Sequence, residues 1–227
     1  MDIVYLGHSS FRLHASGMVV VTDPFPESLG LRTDTRPAAV VTVSNTHPNH
    51  SAASAVSGAP KVFRAPGEYE YNGIVVRGVM TPLPPGVPHE RRNVAYTIEM
   101  DGVNICHLGD LALPLTTRQV DELKPVDVAL APAGGHCAIS PDQALQTIQD
   151  LDPRIVIPMH YAHGQTGVTL DGPAAFLRRL GQDDLQPQPR LAAPPASQRR
   201  RDGERKRAPG RAHSVRRRFG RDRRAVQ

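Results

Sequence analysis

The sequence contains only two cysteines in 227 residues, Cys106 and Cys137. Two cysteines do not make a disulfide framework, so we expect both to be small buried apolar side chains in a protein of a reducing compartment. No apolar run approaches the roughly 20 residues that a membrane-spanning helix needs, so we expect no membrane partner. The first residues, MDIVYLGHSSF, have no basic segment before an apolar stretch, and we therefore expect no secretory signal and a cytoplasmic location.

Negative charge is sparse in residues 187–227 and prevails in the rest of the chain. Residues 187–227 contain 13 Arg and one Lys but only Asp202, Glu204 and Asp222, which gives this segment a net charge of +11. Because the whole chain carries +5, residues 1–186 carry −6. Nucleic acid is therefore a predicted partner only for the basic tail, through residues 192–227.

The basic segment also differs from the rest of the chain in composition. Arg, Pro, Ala and Gly dominate it, and sizeable apolar side chains are sparse. Such a segment buries too little apolar surface to offset the entropy lost on ordering. We predict one folded domain over residues 1–185 and a disordered basic tail over residues 186–227. A shifted reading frame in GC-rich DNA would also give this tail composition.

The first 165 residues alternate between short β-rich runs and turns. The runs are rich in Val, Ile, Thr and Tyr and end at Gly, Pro, Asp or Asn, as is typical of strands. Asp101 and Gly102 predict a hairpin turn between two of the runs. Nine strands are predicted, at residues 3–6, 10–13, 18–22, 39–43, 74–79, 94–99, 103–107, 126–130 and 155–158.

Three helices are predicted among and after the strands. Thr116 or Thr117 can cap a helix that ends at Leu123, and Ser140 followed by a proline opens a helix that ends at Leu151. A third short helix is predicted over residues 173–180. Short strands mixed with helices predict a layered α/β or α+β sandwich.

Histidine and aspartate side chains follow several predicted strands at the point where each strand ends. Because strand ends and their loops meet at one edge of a sheet, we expect these side chains to lie close together. Imidazole and carboxylate are ligands that Zn²⁺ prefers. Each signal is weak alone, since a single buried histidine is more often hydrogen-bonded than bound to metal. The residues are His8, His47, His50, His107, Asp110 and His160.

Several of these segments resemble the metallo-β-lactamase-fold hydrolases, a family of Zn-dependent enzymes. The resemblance covers about residues 1–185 and implies a four-layer αββα sandwich with a metal site at the sheet edge. The segments that carry it are LGHSSF at 6–11, TDPF at 22–25, VSNTHPNH at 43–50, PGEYE at 66–70, CHLGDL at 106–111 and IPMHY at 157–161.

The resemblance also implies a set of site residues, with departures from the family pattern. The family's His-x-His-x-Asp-His motif falls on NTHPNH, so that Asn45 replaces the first histidine and Asn49 replaces the aspartate. Asp110 matches the aspartate that bridges two metals, and His160 matches the last metal histidine. A further histidine is expected before the strand that starts at residue 94, and only His89 is close by.

These departures favour one metal ion over two. His50, Asp110 and His160 remain as ligands for one metal position, whereas the other position keeps only His47 and a share of Asp110. An amide oxygen is a poor Zn²⁺ ligand beside imidazole or carboxylate. We therefore predict one Zn²⁺, with Mn or Fe as alternatives, and take His47, His50, Asp110 and His160 as the candidate ligands.

The resemblance implies a metal-dependent hydrolase that acts on a small-molecule substrate through a metal-activated water. His47 and Asp110 are the candidate catalytic residues, because Asn49 cannot accept a proton at neutral pH. The alternative is a non-catalytic protein that keeps the fold and uses a degenerate site for binding. The sequence does not indicate the substrate or the oligomeric state. Predicted to support the ligands or contact the substrate are His8, Asp23, Asn45, Asn49 and His107.

Overall fold

The computed structural model of the protein describes residues 1–136, 138–162, 166–182, 190–192 and 224–225. Two mixed β-sheets face each other within this part of the chain. Their strands, in chain order, are β1 (Asp2–Gly7), β2 (Ser10–Ala15), β3 (Met18–Thr22), β4 (Val40–Thr42), β5 (Lys61–Phe63), β6 (Gly67–Tyr71), β7 (Ile74–Met80), β8 (Val94–Met100), β9 (Val103–His107), β10 (Val128–Pro132), β11 (Ile155–Met159), β12 (Arg190–Ala192) and β13 (Arg224–Ala225).

The first sheet has the strand order β12-β1-β2-β3-β4-β5, and the second has the order β13-β11-β10-β9-β8-β7-β6. In the first sheet, β2 pairs antiparallel with both β1 and β3, whereas β4 pairs parallel with both β3 and β5. In the second sheet, β6 to β9 form an antiparallel meander, and β9, β10 and β11 run parallel. Asp101 and Gly102, both with positive φ, form the predicted turn between β8 and β9.

Four α-helices accompany the sheets in the described part of the chain: α1 (Pro48–Ser51), α2 (Thr117–Leu123), α3 (Pro141–Leu151) and α4 (Ala174–Arg179). Thr116 and Ser140 cap α2 and α3, and each forms a capping box with the glutamine three residues later. These caps satisfy backbone N–H groups that a helix leaves unpaired at its start. The sequence-based predictions for α2, α3 and α4 are therefore confirmed.

The core consists of one apolar layer between the sheets and one on each outer face. Strand β8 shows how the layers arise, since Tyr96 and Ile98 face the other sheet while Ala95 faces the helical layer. Helices α2, α3 and α4 cover the outer face of the second sheet. Among the described residues, the outer face of the first sheet packs against Ala38, Ala53 of the short 3-10 turn Ala53–Ala55, and Val56. The predicted αββα sandwich is confirmed, with one thin helical layer.

All nine predicted strands are present, with boundaries within two residues. Two short strands, β12 and β13, lie in the segment predicted to be disordered, where β12 pairs with β1 and β13 with β11. The structure differs from the prediction at these five residues because a sheet edge offers unpaired backbone groups to any extended segment. The other residues of the tail lie outside the described part of the chain, as does Cys137.

Cys106 is fully buried, as predicted, and burial raises the pKa of its thiol to about 12. A thiol with such a pKa carries almost no thiolate at neutral pH, so Cys106 is a packing residue. In the described residues, no helix has both the length and the apolar character that crossing a bilayer requires.

Asn93 and Gly109 fix the loop that follows β9. The Asn93 side chain accepts a hydrogen bond from the Asp110 N–H at 2.8 Å and donates one to the Leu108 carbonyl at 3.0 Å. Gly109 has a φ of 60°, and a Cβ atom there would lie 2.3 Å from Asn93 Oδ1 and 2.5 Å from Ser44 Cβ. Only glycine fits this position without moving both neighbours.

We predict that Gly109→Ala destabilises the protein more than Gly73→Ala does. Both glycines have positive φ, but nothing lies within 4 Å of a Cβ atom at Gly73. The control change should lower the free energy of unfolding by about 1–2 kcal/mol through backbone strain alone. The clash should add at least about 1 kcal/mol for Gly109→Ala in urea unfolding. An equal loss for both variants would contradict the close packing described for this loop.

Candidate metal centre

Five loops that follow strands meet at one end of the two sheets. They carry His8 after β1, Asp23 after β3, residues 47–50 after β4, Asp110 after β9 and His160 after β11. Three of these strands belong to the first sheet and two to the second. Both sheets therefore supply polar side chains to the same place.

His8, His50 and His160 form a buried cluster at this place. The centroid of the His8 ring lies 4.8 Å from that of His50 and 4.4 Å from that of His160, and the His50 and His160 centroids are 5.4 Å apart. One nitrogen atom from each ring lies within 4.8 Å of the other two. Nitrogen ligands of a tetrahedral zinc are roughly 3.3 Å apart, so small ring rotations would bring all three onto one ion.

Three buried polar atoms in this cluster have no hydrogen-bond partner: His8 Nε2, His160 Nδ1 and Asp110 Oδ1. Asp110 Oδ1 lies 3.7 Å from His160 Nδ1. A buried polar atom without a partner costs about 1–3 kcal/mol, so three at one point need a common explanation. Two imidazole nitrogens and one carboxylate oxygen are suitable donors for a divalent cation, and the residues present fit such an ion.

The two imidazoles with unpartnered nitrogens are uncharged at neutral pH. Burial, with the positive charge of His50 added, lowers the pKa of His8 to about 3. Burial, again with the charges of His50 and His8, lowers the pKa of His160 well below its ordinary value. A metal binds the neutral imidazole, so protons do not compete for these two nitrogens at pH 7.

Asp23 orients His50. The His50 Nδ1–H donates to Asp23 Oδ2 at 2.8 Å, which leaves Nε2 as the nitrogen available to a metal. Asp23 is fully buried and also accepts the Ser44 N–H at 2.7 Å. Burial alone would raise the pKa of Asp23, but His107 and His50 outweigh it and hold the pKa below its ordinary value. Carboxylate–histidine pairs of this kind fix the ring of a metal ligand and raise its basicity.

The loops that carry His8 and His160 are tied together across the two sheets. The His160 N–H donates to the His8 carbonyl at 2.7 Å, and the Tyr5 hydroxyl donates to the same carbonyl at 2.9 Å. His107, the last residue of β9, donates its Nε2–H to the Ser9 carbonyl at 2.7 Å, next to His8 in the chain. His8 and His160 both have positive φ, 54° and 52°, which is strained for a residue with a Cβ atom.

The NTHPNH loop uses several of its polar groups to hold its own shape. Asn45 Oδ1 accepts the His47 N–H at 3.0 Å, and His47 Nδ1 accepts the Asn49 N–H at 3.2 Å as the cap of α1. A nitrogen that accepts a hydrogen bond has no proton, so the neutral His47 ring carries its proton on Nε2. The His47 side chain is exposed, and its ring centroid lies 6.3 Å from that of His50.

The structure thus groups the residues singled out in the sequence into two sets. His50 and His160 lie in the cluster with Asp110 beside them, and His8, expected only in a supporting role, lies in the cluster as well. Outside the cluster lie Asp23, Asn45, Asn49 and His107, which were predicted to support it, and His47, which was predicted as a ligand and as a catalytic residue. His89 is exposed on the loop before β8.

Comparison with known proteins decides the family. Residues 2–160 match the family described as Beta-lactamase superfamily domain. The chain belongs to the beta-lactamase superfamily. It is also 32% identical over 187 residues to a UPF0173 metal-dependent hydrolase of Methanoculleus marisnigri, a match that covers 71% of this chain and 81% of the relative.

Two further relatives support the same placement. A UPF0173 metal-dependent hydrolase of Thermococcus kodakarensis is 28% identical to this chain over 196 residues, a match that covers 71% of this chain and 84% of the relative. A crystal structure from Thermotoga maritima, assigned to the Zn-dependent hydrolases of the metallo-beta-lactamase superfamily, is 34% identical with a TM-score of 0.66. That match covers 78% of this chain and 84% of the other. The family resemblance seen in the sequence is therefore confirmed, and the chain is similar to proteins named as metal-dependent hydrolases.

We predict that Asp23→Asn weakens zinc binding by about tenfold or more. Asparagine keeps an oxygen that accepts the His50 Nδ1–H but removes the charge that makes His50 a better ligand. Zinc affinity should be measured by competition with a chelating dye. Asp150→Asn, on the exposed side of α3, is the control and should bind zinc like the unchanged protein. Equal zinc affinity for both variants would contradict the orienting role of Asp23.

Proposed function

We propose that this chain hydrolyses a small-molecule ester with one divalent cation held by His8, His50, Asp110 and His160. The observation that carries the proposal is the buried convergence of three imidazoles, with a carboxylate beside them, in which His8 Nε2, His160 Nδ1 and Asp110 Oδ1 lack hydrogen-bond partners. Zn²⁺ suits this donor set best, and Mn or Fe are the alternatives.

A cation bound there would polarise the scissile carbonyl or phosphoryl group and lower the pKa of a water molecule toward about 7. Asp23 keeps the His50 ring in place and holds its tautomer through the 2.8 Å hydrogen bond. Asp110 would add a negative charge to a ligand set whose three imidazoles are neutral when they bind a metal. Burial of this end of the sheets excludes bulk water from the donor atoms, which strengthens each electrostatic contact.

His47 is the proposed proton-transfer residue at the rim of the site. Because its Nδ1 accepts the Asn49 N–H, the neutral ring can donate a hydrogen bond from Nε2–H to the substrate. It can give a proton to a leaving group only after Nδ1 has released that cap bond and taken up a proton. His47 can act as the general base or as a metal ligand through Nδ1 only after it has released the Asn49 N–H. Through Nε2, it can do so only after that nitrogen has lost its proton. Burial, with the charges of His50 and Arg91, lowers the pKa of His47, so the ring is neutral at pH 7.

A non-catalytic binding protein is the second candidate, and the asparagines at positions 45 and 49 favour it. Asn45 is engaged in the loop through the His47 N–H and has no carboxylate or imidazole to offer a second metal. Asn49 cannot accept a proton at neutral pH. A protein of this kind would bind one metal ion per chain and turn over none of the substrates below.

The test is metal-dependent hydrolysis by the full chain. The protein is stripped with a chelator, reloaded with Zn²⁺, Mn²⁺ or Fe²⁺, and assayed on p-nitrophenyl acetate, bis(p-nitrophenyl) phosphate and a γ-lactone. We expect one metal ion per chain and hydrolysis that disappears with the chelator and returns with the metal. Metal uptake without turnover would favour the binding protein, and hydrolysis that is unaffected by metal removal would contradict the proposed site.

His160→Ala should abolish metal retention and lower the rate at least 100-fold, since it removes one donor and opens a cavity beside the others. His14→Ala is the matched control, because His14 lies exposed on β2 away from the cluster. Metal content by mass spectrometry gives a readout that does not depend on the choice of substrate. Full metal retention in His160→Ala would exclude His160 as a ligand.

The cytoplasmic location, the small size of the substrate and the possible contact of the 192–227 tail with nucleic acid stay predictions from the sequence. So does the domain boundary at residue 185. Most of the tail lies outside the described residues, so its proposed role rests on charge alone.

A further inference from the structure

The loop between β7 and β8, residues 81–93, is fixed beside the metal centre at two points. At its base, the Thr81 N–H donates to the Asn93 carbonyl at 2.9 Å. Further along, the Thr46 hydroxyl donates to the Glu90 carbonyl at 2.8 Å and ties the loop to the segment that carries His47. The second tie holds the 3-10 turn His89–Arg91 next to the rim of the site.

The base of the loop is also joined to the Asp110 segment. Asn93 is buried, and its side chain accepts the Asp110 N–H at 2.8 Å while donating to Thr81 Oγ1 at 3.1 Å. The turn that carries Arg91 is therefore held between the His47 segment on one side and the Asp110 segment on the other.

Arg91 is an exposed cation without an ion-pair partner in the described part of the chain. Five other arginines there, on the same sandwich, pair with carboxylates at 4.0 Å or less: Arg12, Arg36, Arg77, Arg118 and Arg179. The turn that carries Arg91 is joined to Thr46, the neighbour of His47, through the Glu90 carbonyl, and Asn93 two residues after Arg91 accepts the Asp110 N–H.

We propose that Arg91 binds an anionic group of the substrate, a phosphate or a carboxylate next to the bond that is cleaved. This inference rests on the proposed function of the same site and adds the substrate class to it. A guanidinium group presents a planar fork of donors that matches phosphate and carboxylate oxygens, and it stays charged at every working pH. The domain outside the tail carries a net charge of −6, so a fixed cation at the rim sets the site apart from its surroundings.

Arg91→Gln tests the proposal, with Arg92→Gln as the matched control. Arg92 is the next residue and is also exposed, but it follows the turn His89–Arg91 that is held next to the site. Both changes remove one positive charge from the same loop. They therefore alter the net charge of the protein equally and differ only in position.

The first measurement is calorimetric binding of inorganic phosphate and of succinate to the zinc-loaded proteins, at one ionic strength. We expect Arg91→Gln to weaken binding of the preferred anion about tenfold, with zinc content unchanged, and Arg92→Gln to leave it within twofold. Stronger phosphate binding in the unchanged protein identifies a phosphate-bearing substrate, and stronger succinate binding identifies a carboxylate. Equal anion binding by all three proteins would overturn the proposal.

The second measurement separates this inference from the proposed function. In the metal-free proteins the same difference between Arg91→Gln and Arg92→Gln should persist at weaker affinity, so the result stands even if no hydrolysis is found. Where hydrolysis is found, Arg91→Gln should raise KM for bis(p-nitrophenyl) phosphate or for p-nitrophenyl succinate about tenfold more than it raises KM for p-nitrophenyl acetate, which carries no anionic group. A change in zinc affinity without any change in anion binding would instead show that Arg91 only balances Asp110, and it would contradict the proposal.

Discussion

A single backbone hydrogen bond, from the His160 N–H to the His8 carbonyl at 2.7 Å, joins the ends of two strands that belong to different sheets. Each sheet alone brings only part of the ligand set to this edge. Both histidines have a positive φ, which a residue with a Cβ atom adopts only when its surroundings require it. The packing of the two sheets against each other thus brings the ligand side chains together.

The cluster opposes folding when no cation is bound to it. Three buried atoms without hydrogen-bond partners each cost about 1–3 kcal/mol, and the backbone strain at His8 and His160 adds to that. A ligand that binds only the folded state adds stability in proportion to the logarithm of its concentration over Kd. Without a cation, the apolar layers on both faces of each sheet keep the protein folded. A bound cation would remove the free-energy cost of the unpartnered atoms that it contacts.

The sequence predicted the sandwich well because strands that are buried on both faces leave a strong pattern. All nine predicted strands and three predicted helices are present, whereas α1, β5 and β6 are not among the predicted elements, because runs of three to five residues carry too little periodicity. His50, Asp110 and His160 came from strand ends and a family resemblance. His8 follows a strand in the same way, but its place among the donors depends on a positive-φ turn and on the other sheet, which no local pattern reveals.

The most direct measurement is anomalous diffraction at the zinc edge from crystals of the metal-loaded protein. The central claim is that His8, His50 and His160 grip one cation together with Asp110. It predicts a single zinc peak within about 2.0–2.2 Å of one donor atom from each of these residues. A peak bound to His47 and Asn45, or a peak more than about 3 Å from His8, would contradict the claim.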